Sequence, residues 1–319
     1  MLVYLGVMLL FCFLYWWYRD IKQITAVSDK HVYITGCDSG FGHLLAQHLD
    51  KQGFHVLAAC FTEQGAQELK DKTSSRLKTF QLDVTNSESI GKAAEFVKSQ
   101  VKDKGLWGLV NNAGISQPSG PSDWLTIDDY KVQLDVNLIG LIEVTLSMIP
   151  LIKRARGRIV NMASICGRVS NVGGSYCISK FGVEAFNDSL RRDLQCFGVK
   201  VACIEPGYFK THITNPDIIK EKFIKLWDRL PRDVQEDYGD DYLDKTCSLI
   251  KKYIEKLAEP NLMKVVWRIH HALTSVHPRS RYAVGIDAKL LWIPLSYMPT
   301  AFTDFLLERD KVKPAKAVY

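Results

Sequence analysis

Short apolar runs recurring between amphipathic helical patterns constrain this chain more than anything else in it. Residues 31–35 (HVYIT), 54–60 (FHVLAAC), 77–82, 106–110 (LWGLV), 157–162 (GRIVNM) and 199–204 (VKVACI) read as strands. They show little polar alternation, which predicts a sheet buried on both faces. Helical spacing fills the gaps. Leu44, Leu45, His48 and Leu49 mark one helix over 40–52, and Val97 and Val101 another that opens on a capping box at Thr85-Asn86-Ser87-Glu88. A helix between successive strands implies parallel crossovers, so the expected fold class is α/β with a doubly wound parallel sheet. The pattern is continuous and has no internal repeat, which predicts a single domain. After Pro206 it gives way to charged helical sequence, with Ile219, Phe223, Leu226, Trp227 and Leu230 forming one apolar face. Residues 281–285 (RYAVG) read as a last edge strand. Residues 290–303 are uncharged but broken by Pro294 and Pro299, too short to span a bilayer and suited to its surface or to the core.

Charge and cysteine usage exclude some functions. The 319 residues hold 41 basic and 35 acidic side chains, net +6, with no basic run. Nucleic acid is therefore not an expected partner; anionic lipid or a phosphate-bearing cofactor suits the small excess better. The eight cysteines include no CxxC pair and no zinc-like Cys/His spacing, so reduced thiols and no metal site are expected.

Residues 1–18 (MLVYLGVMLLFCFLYWWY) carry no charge and are followed by Arg19 and Lys22. As a helix they rise about 27 Å, close to the hydrocarbon thickness of a bilayer. The aromatic cluster 15–18 suits the membrane interface, and the flanking cations favour a cytosolic domain. The expectation is a retained membrane anchor at 1–18 and a tether at 19–29. A cleaved signal peptide is the weaker alternative, because the basic n-region is missing.

The chemistry-bearing motifs fall at strand ends. The first strand runs into Thr35-Gly36-Cys37-Asp38-Ser39-Gly40-Phe41-Gly42 and then a helix. Glycines there allow a tight turn and close approach of a pyrophosphate to the helix N-terminus. Asn111-Asn112-Ala113-Gly114 ends the fourth strand, Ser164 follows the fifth, and Tyr176 and Lys180 lie four residues apart on one helix face.

In its TGxxxGxG spacing, NNAG, YxxxK, a serine twelve residues before the tyrosine, Asn137, Asp83-Val84 and Pro206-Gly207 with Thr211, the chain resembles the short-chain dehydrogenase/reductase family over residues 30–212. The stretches ITGCDSGFG, GLWGLVNNAG, ALTSVHPRSRY and IPLSYMP are similar to the microsomal retinol and hydroxysteroid dehydrogenase branch. The resemblance implies a Rossmann-like dehydrogenase domain at 30–319. Within it, 30–212 would bind the cofactor, 213–280 the substrate, and 281–319 form a C-terminal segment. It implies Tyr176, Lys180, Ser164 and Asn137 as catalytic residues. It implies cofactor contacts from Gly36, Ser39, Gly40, Phe41, Gly42, Asp83, Asn111, Ala113, Gly114, Tyr176, Lys180, Pro206, Gly207 and Thr211. Asp83 has a plainer reading as the cap of a turn with Thr85.

A tyrosine ionises near pH 10, so its use as a base at neutral pH requires roughly 4 kcal/mol of differential interaction. The expected source is the Lys180 ammonium together with an oxidised nicotinamide. The glycine loop and residues 60–64 hold no cation, and Glu63 lies where an acid that binds ribose is expected, so NAD is favoured over NADP. The implied substrate is a hydrophobic alcohol or carbonyl, a retinoid or a 3- or 17-hydroxysteroid, at the endoplasmic reticulum membrane. A homo-oligomer is compatible with this. Two rival readings are an NADPH-dependent carbonyl reductase and a non-catalytic nucleotide-binding membrane protein.

Overall fold

The computed structural model describes residues 2–318. Its sheet comprises β1 (His31–Ile34), β2 (His55–Cys60), β3 (Leu77–Gln81), β4 (Gly108–Asn111), β5 (Arg158–Met162), β6 (Lys200–Pro206) and β7 (Arg281–Val284). Every neighbouring pair is parallel, in the order β3-β2-β1-β4-β5-β6-β7. The chain order reverses between β1 and β4, so a crevice opens there beyond the strands' C-terminal ends.

Helix α1 (Leu2–Ile21) precedes the sheet. Then α2 (Gly40–Lys51), α3 (Glu63–Lys70), α4 (Ser87–Val101), α5 (Ile127–Leu134), α6 (Gly140–Ala155) and α7 (Ser175–Gln195) link β1 through β6. Helices α8 (Pro216–Asp228), α9 (Arg232–Tyr238), α10 (Tyr242–Leu257) and α11 (Met263–Thr274) separate β6 from β7, and α12 (Ile293–Leu295) and α13 (Thr300–Glu308) follow it.

Alternate strand residues feed two apolar layers, which is why the strand sequences lack polar positions. Val32, Ile34, Val56 and Val160 pack with Leu45 and Leu49 of α2 and Val266 and Ile269 of α11. Tyr33, Leu57, Leu109 and Ile159 pack with Val97 of α4, Met148 and Ile152 of α6 and Leu190 of α7. The sheet is thus doubly wound, as the sequence predicts.

Three local expectations need correction. The cap of α4 is Asn86, whose side chain accepts from Ser89 N. Thr85 is outside the helix because its hydroxyl donates to Asp83 Oδ1 at 2.7 Å. Helix α1 runs to Ile21 instead of stopping at residue 18, since Arg19 and Asp20 continue its backbone. The expected loose tether is also fastened. Ile24 N donates to Thr274 O, Val276 N donates to Lys22 O, and Arg279 grips both Asp20 carboxylate oxygens at 2.8 and 2.6 Å. His271 Nε2 meets the Asp20 carbonyl at 2.7 Å.

By length and composition, Ile127–Ala155 could cross a membrane, but 44% of its most apolar window is buried; it comprises α5, a π-helical turn and α6 and lies against the sheet. In α1 the described apolar side chains are exposed, Phe11 at 71% and Trp16 at 68% among them.

Candidate active site

The glycine loop after β1 is held by its neighbours. Gly36 (φ +70°) and Gly40 (φ +61°) occupy the left-handed region that favours glycine. A Cβ on Gly36 would sit 2.7 Å from Ala113 Cα, and one on Gly42 would sit 2.3 Å from Gly36 O and 2.5 Å from Asn112 Nδ2. The Thr35 hydroxyl accepts from Asn112 N and Ala113 N, both at 3.0 Å. Asn112 Nδ2 donates back to Thr35 O and Gly36 O. The loops after β1 and β4 are therefore one rigid unit.

Helix α2 begins at Gly40 with Ser39 as its extended N-cap, and the Ser39 side chain makes no capping bond. The first N–H groups of a helix lack partners within it and carry the positive end of its dipole. Together with the open space around Gly40, where a Cβ would meet nothing within 4 Å, they make a cradle that fits a pyrophosphate. Phe41 packs edge-on against Phe209 at 5.6 Å, tying this loop to the segment after β6. There Gly207 N donates to Val284 O, and a Cβ at Gly207 would collide with the Asp287 carboxylate, which accepts from Tyr208 N. Thr211 N donates to Thr214 Oγ1, closing a turn just beyond Pro206 and Gly207.

At the ends of β4 and β5 the four expected catalytic side chains converge. Ser164 caps a short 3-10 turn by accepting from Cys166 N at 3.1 Å, and it lies close enough to the Tyr176 phenol to favour its ionised form. Tyr176 stands in the first turn of α7, and Lys180 one turn on has its ammonium 5.7 Å from the Tyr176 ring centre. Lys180 Nζ donates to Met162 O at 2.9 Å. Asn137 lies in the π-helical turn between α5 and α6, a distortion frequent at functional sites. It is fully buried; its amide brackets the Ile115 backbone, at 2.8 Å to N and to O, and donates to Ser179 Oγ at 3.1 Å. A Cβ at Gly114 would lie 3.2 Å from Asn137 Oδ1 and 3.7 Å from Lys180 Nζ, so a side chain there would crowd Asn137.

Burial dominates the electrostatics of the chain by itself. Burial pushes the Tyr176 phenol up, Cys166 adds to that, and the nearby Ser164 hydroxyl opposes it. Burial also pushes Lys180 down, to about 8. Desolvation disfavours phenolate and ammonium alike, so the chain alone does not acidify Tyr176, and the expected acidification needs the nicotinamide's positive charge beside that of Lys180.

Other expected cofactor residues separate. Asn111 turns its side chain inward, donating to Thr145 Oγ1 and Asn161 Oδ1 at 2.8 Å each; Asn161 in turn donates to Asn187 Oδ1 of α7. Its neighbour Asn112 faces the glycine loop instead. Asp83 Oδ1 is taken by Thr85 N and Thr85 Oγ1, the plainer of its two readings. Glu63 is exposed at the start of α3. The sequence reading missed Asp38, whose carboxylate accepts from Phe61 N, Thr62 N and Thr62 Oγ1 and so joins the glycine loop to the end of β2. Its place inside the glycine loop was the available signal. Also missed were Ser179, inside YxxxK, and the paired thiols of Cys166 and Cys177 beside Tyr176. No group of three or more His, Cys, Asp or Glu that could hold a metal is present among the described residues.

Trp124, in the loop after β4, is buried among Phe223, Leu226 and Cys247, so α8 and α10 cover that loop with apolar surface.

A sequence profile for short chain dehydrogenases matches residues 30–222. Retinol dehydrogenase 16 of Homo sapiens is 52% identical over 318 residues, covering 100% of each chain. The 17-beta-hydroxysteroid dehydrogenase type 6 of Homo sapiens is 51% identical over 318 residues, again covering 100% of each. A crystal structure of a short-chain dehydrogenase from Streptomyces avermitilis superposes with a TM-score of 0.67 at 24% identity, over 85% of this chain and 92% of that one, and so shares the fold. Fold, motif geometry and these matches agree: the chain belongs to the short-chain dehydrogenase family.

Proposed function

We propose that this chain is an NAD-dependent dehydrogenase of hydrophobic alcohols, a retinoid or a 3- or 17-hydroxysteroid, held at the endoplasmic reticulum membrane by α1 with its catalytic domain on the cytosolic side. The observation that carries this reading is the convergence of Ser164, Tyr176, Lys180 and Asn137 at the ends of β4 and β5, beside the anion cradle at Gly36–Gly42. The names of the retinol and hydroxysteroid dehydrogenase relatives support the substrate class, as does the apolar cover of Phe223 and Leu226 over Trp124. Two carboxylates, Asp38 and Glu63, flank the end of β2 and favour a ribose hydroxyl over a 2′-phosphate, which supports NAD.

Bound there, an oxidised nicotinamide dinucleotide supplies the hydride acceptor and a positive charge. The chain's residues supply position and proton transfer. Ser164 donates its hydroxyl proton in a hydrogen bond to the substrate oxygen and so holds it, and Tyr176, as the phenolate, takes the substrate's hydroxyl proton. Lys180, fixed by Met162 O, would hold the nicotinamide ribose and support that phenolate through its charge. Asn137 fixes the Ile115 backbone and so the wall beside Gly114.

The test uses the full-length protein in phospholipid vesicles, with retinol or androstanediol and either NAD or NADP, following cofactor reduction by absorbance. The expected result is turnover with NAD, and a loss of roughly 10²–10⁴-fold in kcat for Tyr176→Phe with nucleotide binding retained. Turnover confined to a polar sugar alcohol overturns the substrate class; an active Tyr176→Phe variant overturns the mechanism.

A further inference from the structure

The segment after β7 carries more exposed apolar surface than its place on a folded domain requires. Ile286 is 71% exposed, Leu290 76%, Tyr297 74% and Phe305 64%, with Met298 and Phe302 close to half. So many exposed apolar side chains within one short segment of a folded domain mark a contact face.

Two observations identify the occupant. The first is continuity with α1. The last turn of that helix is fixed by Asp20 to Arg279 and His271, directly before β7. Lys289 lies within electrostatic reach of Arg268, Arg279 and Lys264. The root of α1 and the apolar segment therefore share one cation-bearing edge of the molecule, the edge formed by β7. The second is charge. Lys289 stands next to the exposed Leu290 in the chain, an arrangement that suits anionic headgroups over an acyl boundary. The same face adjoins the catalytic loop. Arg168, four residues past Ser164, donates to Tyr297 Oη at 2.7 Å and lies 5.2 Å over its ring.

We propose that the face formed by Ile286, Leu290, Tyr297, Met298, Phe302 and Phe305, with the cations Arg268 and Lys289, docks on an anionic bilayer surface, so that the sheet stands with its β7 edge toward the lipid. This rests on the reading of α1 as a membrane anchor and adds a second, peripheral contact. A membrane-dissolved alcohol then reaches the Ser164 side of the cleft along the docked face without crossing bulk water.

The test uses the full chain with its exposed thiols removed (Cys12→Ser, Cys196→Ser) and a single environment-sensitive fluorophore at Leu290→Cys, Tyr18→Cys or Lys98→Cys. Each is inserted into vesicles of phosphatidylcholine, with or without phosphatidylserine, containing brominated acyl chains as quencher. Expected is strong quenching at 18, quenching at 290 that rises several-fold with phosphatidylserine, and none at 98 on α4. Phe302→Glu with Phe305→Glu should reduce quenching at 290 several-fold and leave 18 unchanged. A label at 290 as unquenched as that at 98, with 18 still quenched, overturns the docked face and leaves the anchor standing. No quenching at 18 overturns the anchor reading, and this inference with it.

Discussion

Lys180 and Glu184 sit one helical turn apart on α7, each buried, and burial moves them in opposite directions. The Lys180 ammonium is pushed down to about 8, so the native state binds its proton less firmly than the unfolded chain does. The resulting penalty is complete below about pH 8 and fades as pH rises toward the ordinary lysine value. Lys180→Met should therefore be more stable than the parent near pH 7, by on the order of a few kcal/mol at most, with the gap narrowing above pH 8 in urea titrations. Burial, reinforced by Glu205, pushes Glu184 up to about 7 despite its 3.0 Å pairing with Arg281. Here the native state holds its proton too firmly, so the charged form costs stability that is lost progressively between about pH 4.5 and 7. Glu184→Gln should flatten the fall in unfolding free energy across that window; an unchanged slope would assign the fall to other groups. The YxxxK resemblance pointed to the Tyr176–Lys180 pair, but not to the burial that opposes charge on both groups in the chain alone. Sign depends on how deeply the groups are buried, and helical spacing carries no depth.

At the scale of elements, the glycine loop, NNAG and the first turn of α7 act as one fitted assembly. Gly42→Ala drives a methyl into Gly36 O and Asn112 Nδ2, neither of which can yield without parting the loops after β1 and β4. The expected outcome is a loss of about 1–3 kcal/mol in denaturant unfolding and a weakened nucleotide affinity in titration. Gly40→Ala meets nothing within 4 Å and bears only the left-handed backbone cost of roughly 1–2 kcal/mol. The sheet class was legible because unalternating strands and intervening helices have few other solutions. The strands were each found to within two residues at either end, with Pro206 extending β6 past the expected stop at 204. Which asparagine of NNAG faces the loop was not legible. Adjacent strand residues point to opposite faces, and a motif fixes the pair without fixing its phase. The cap at Asn86 was missed for a similar reason, since three successive polar residues could each have served.

For the whole molecule the decisive contact is the Asp20–Arg279 pair that seats α1. Arg279→Ala should leave the fold and the isolated chemistry intact while freeing residues 22–30. Limited proteolysis should then cut that stretch several-fold faster, and no acceleration would mean that the backbone bonds to Thr274 and Val276 suffice alone. These connections also decide where mechanical load goes. Strand β1 is the next element after α1 and lies in the interior of the sheet, so traction on a lipid-held helix would otherwise draw on it directly. With Lys22 and Ile24 bonded to the turn at 274–276, a tug is diverted to that corner and borne by several bonds side by side. Thermal jostling of the bilayer would then be absorbed at the rim, and the strand that leads into the glycine loop would be spared the strain.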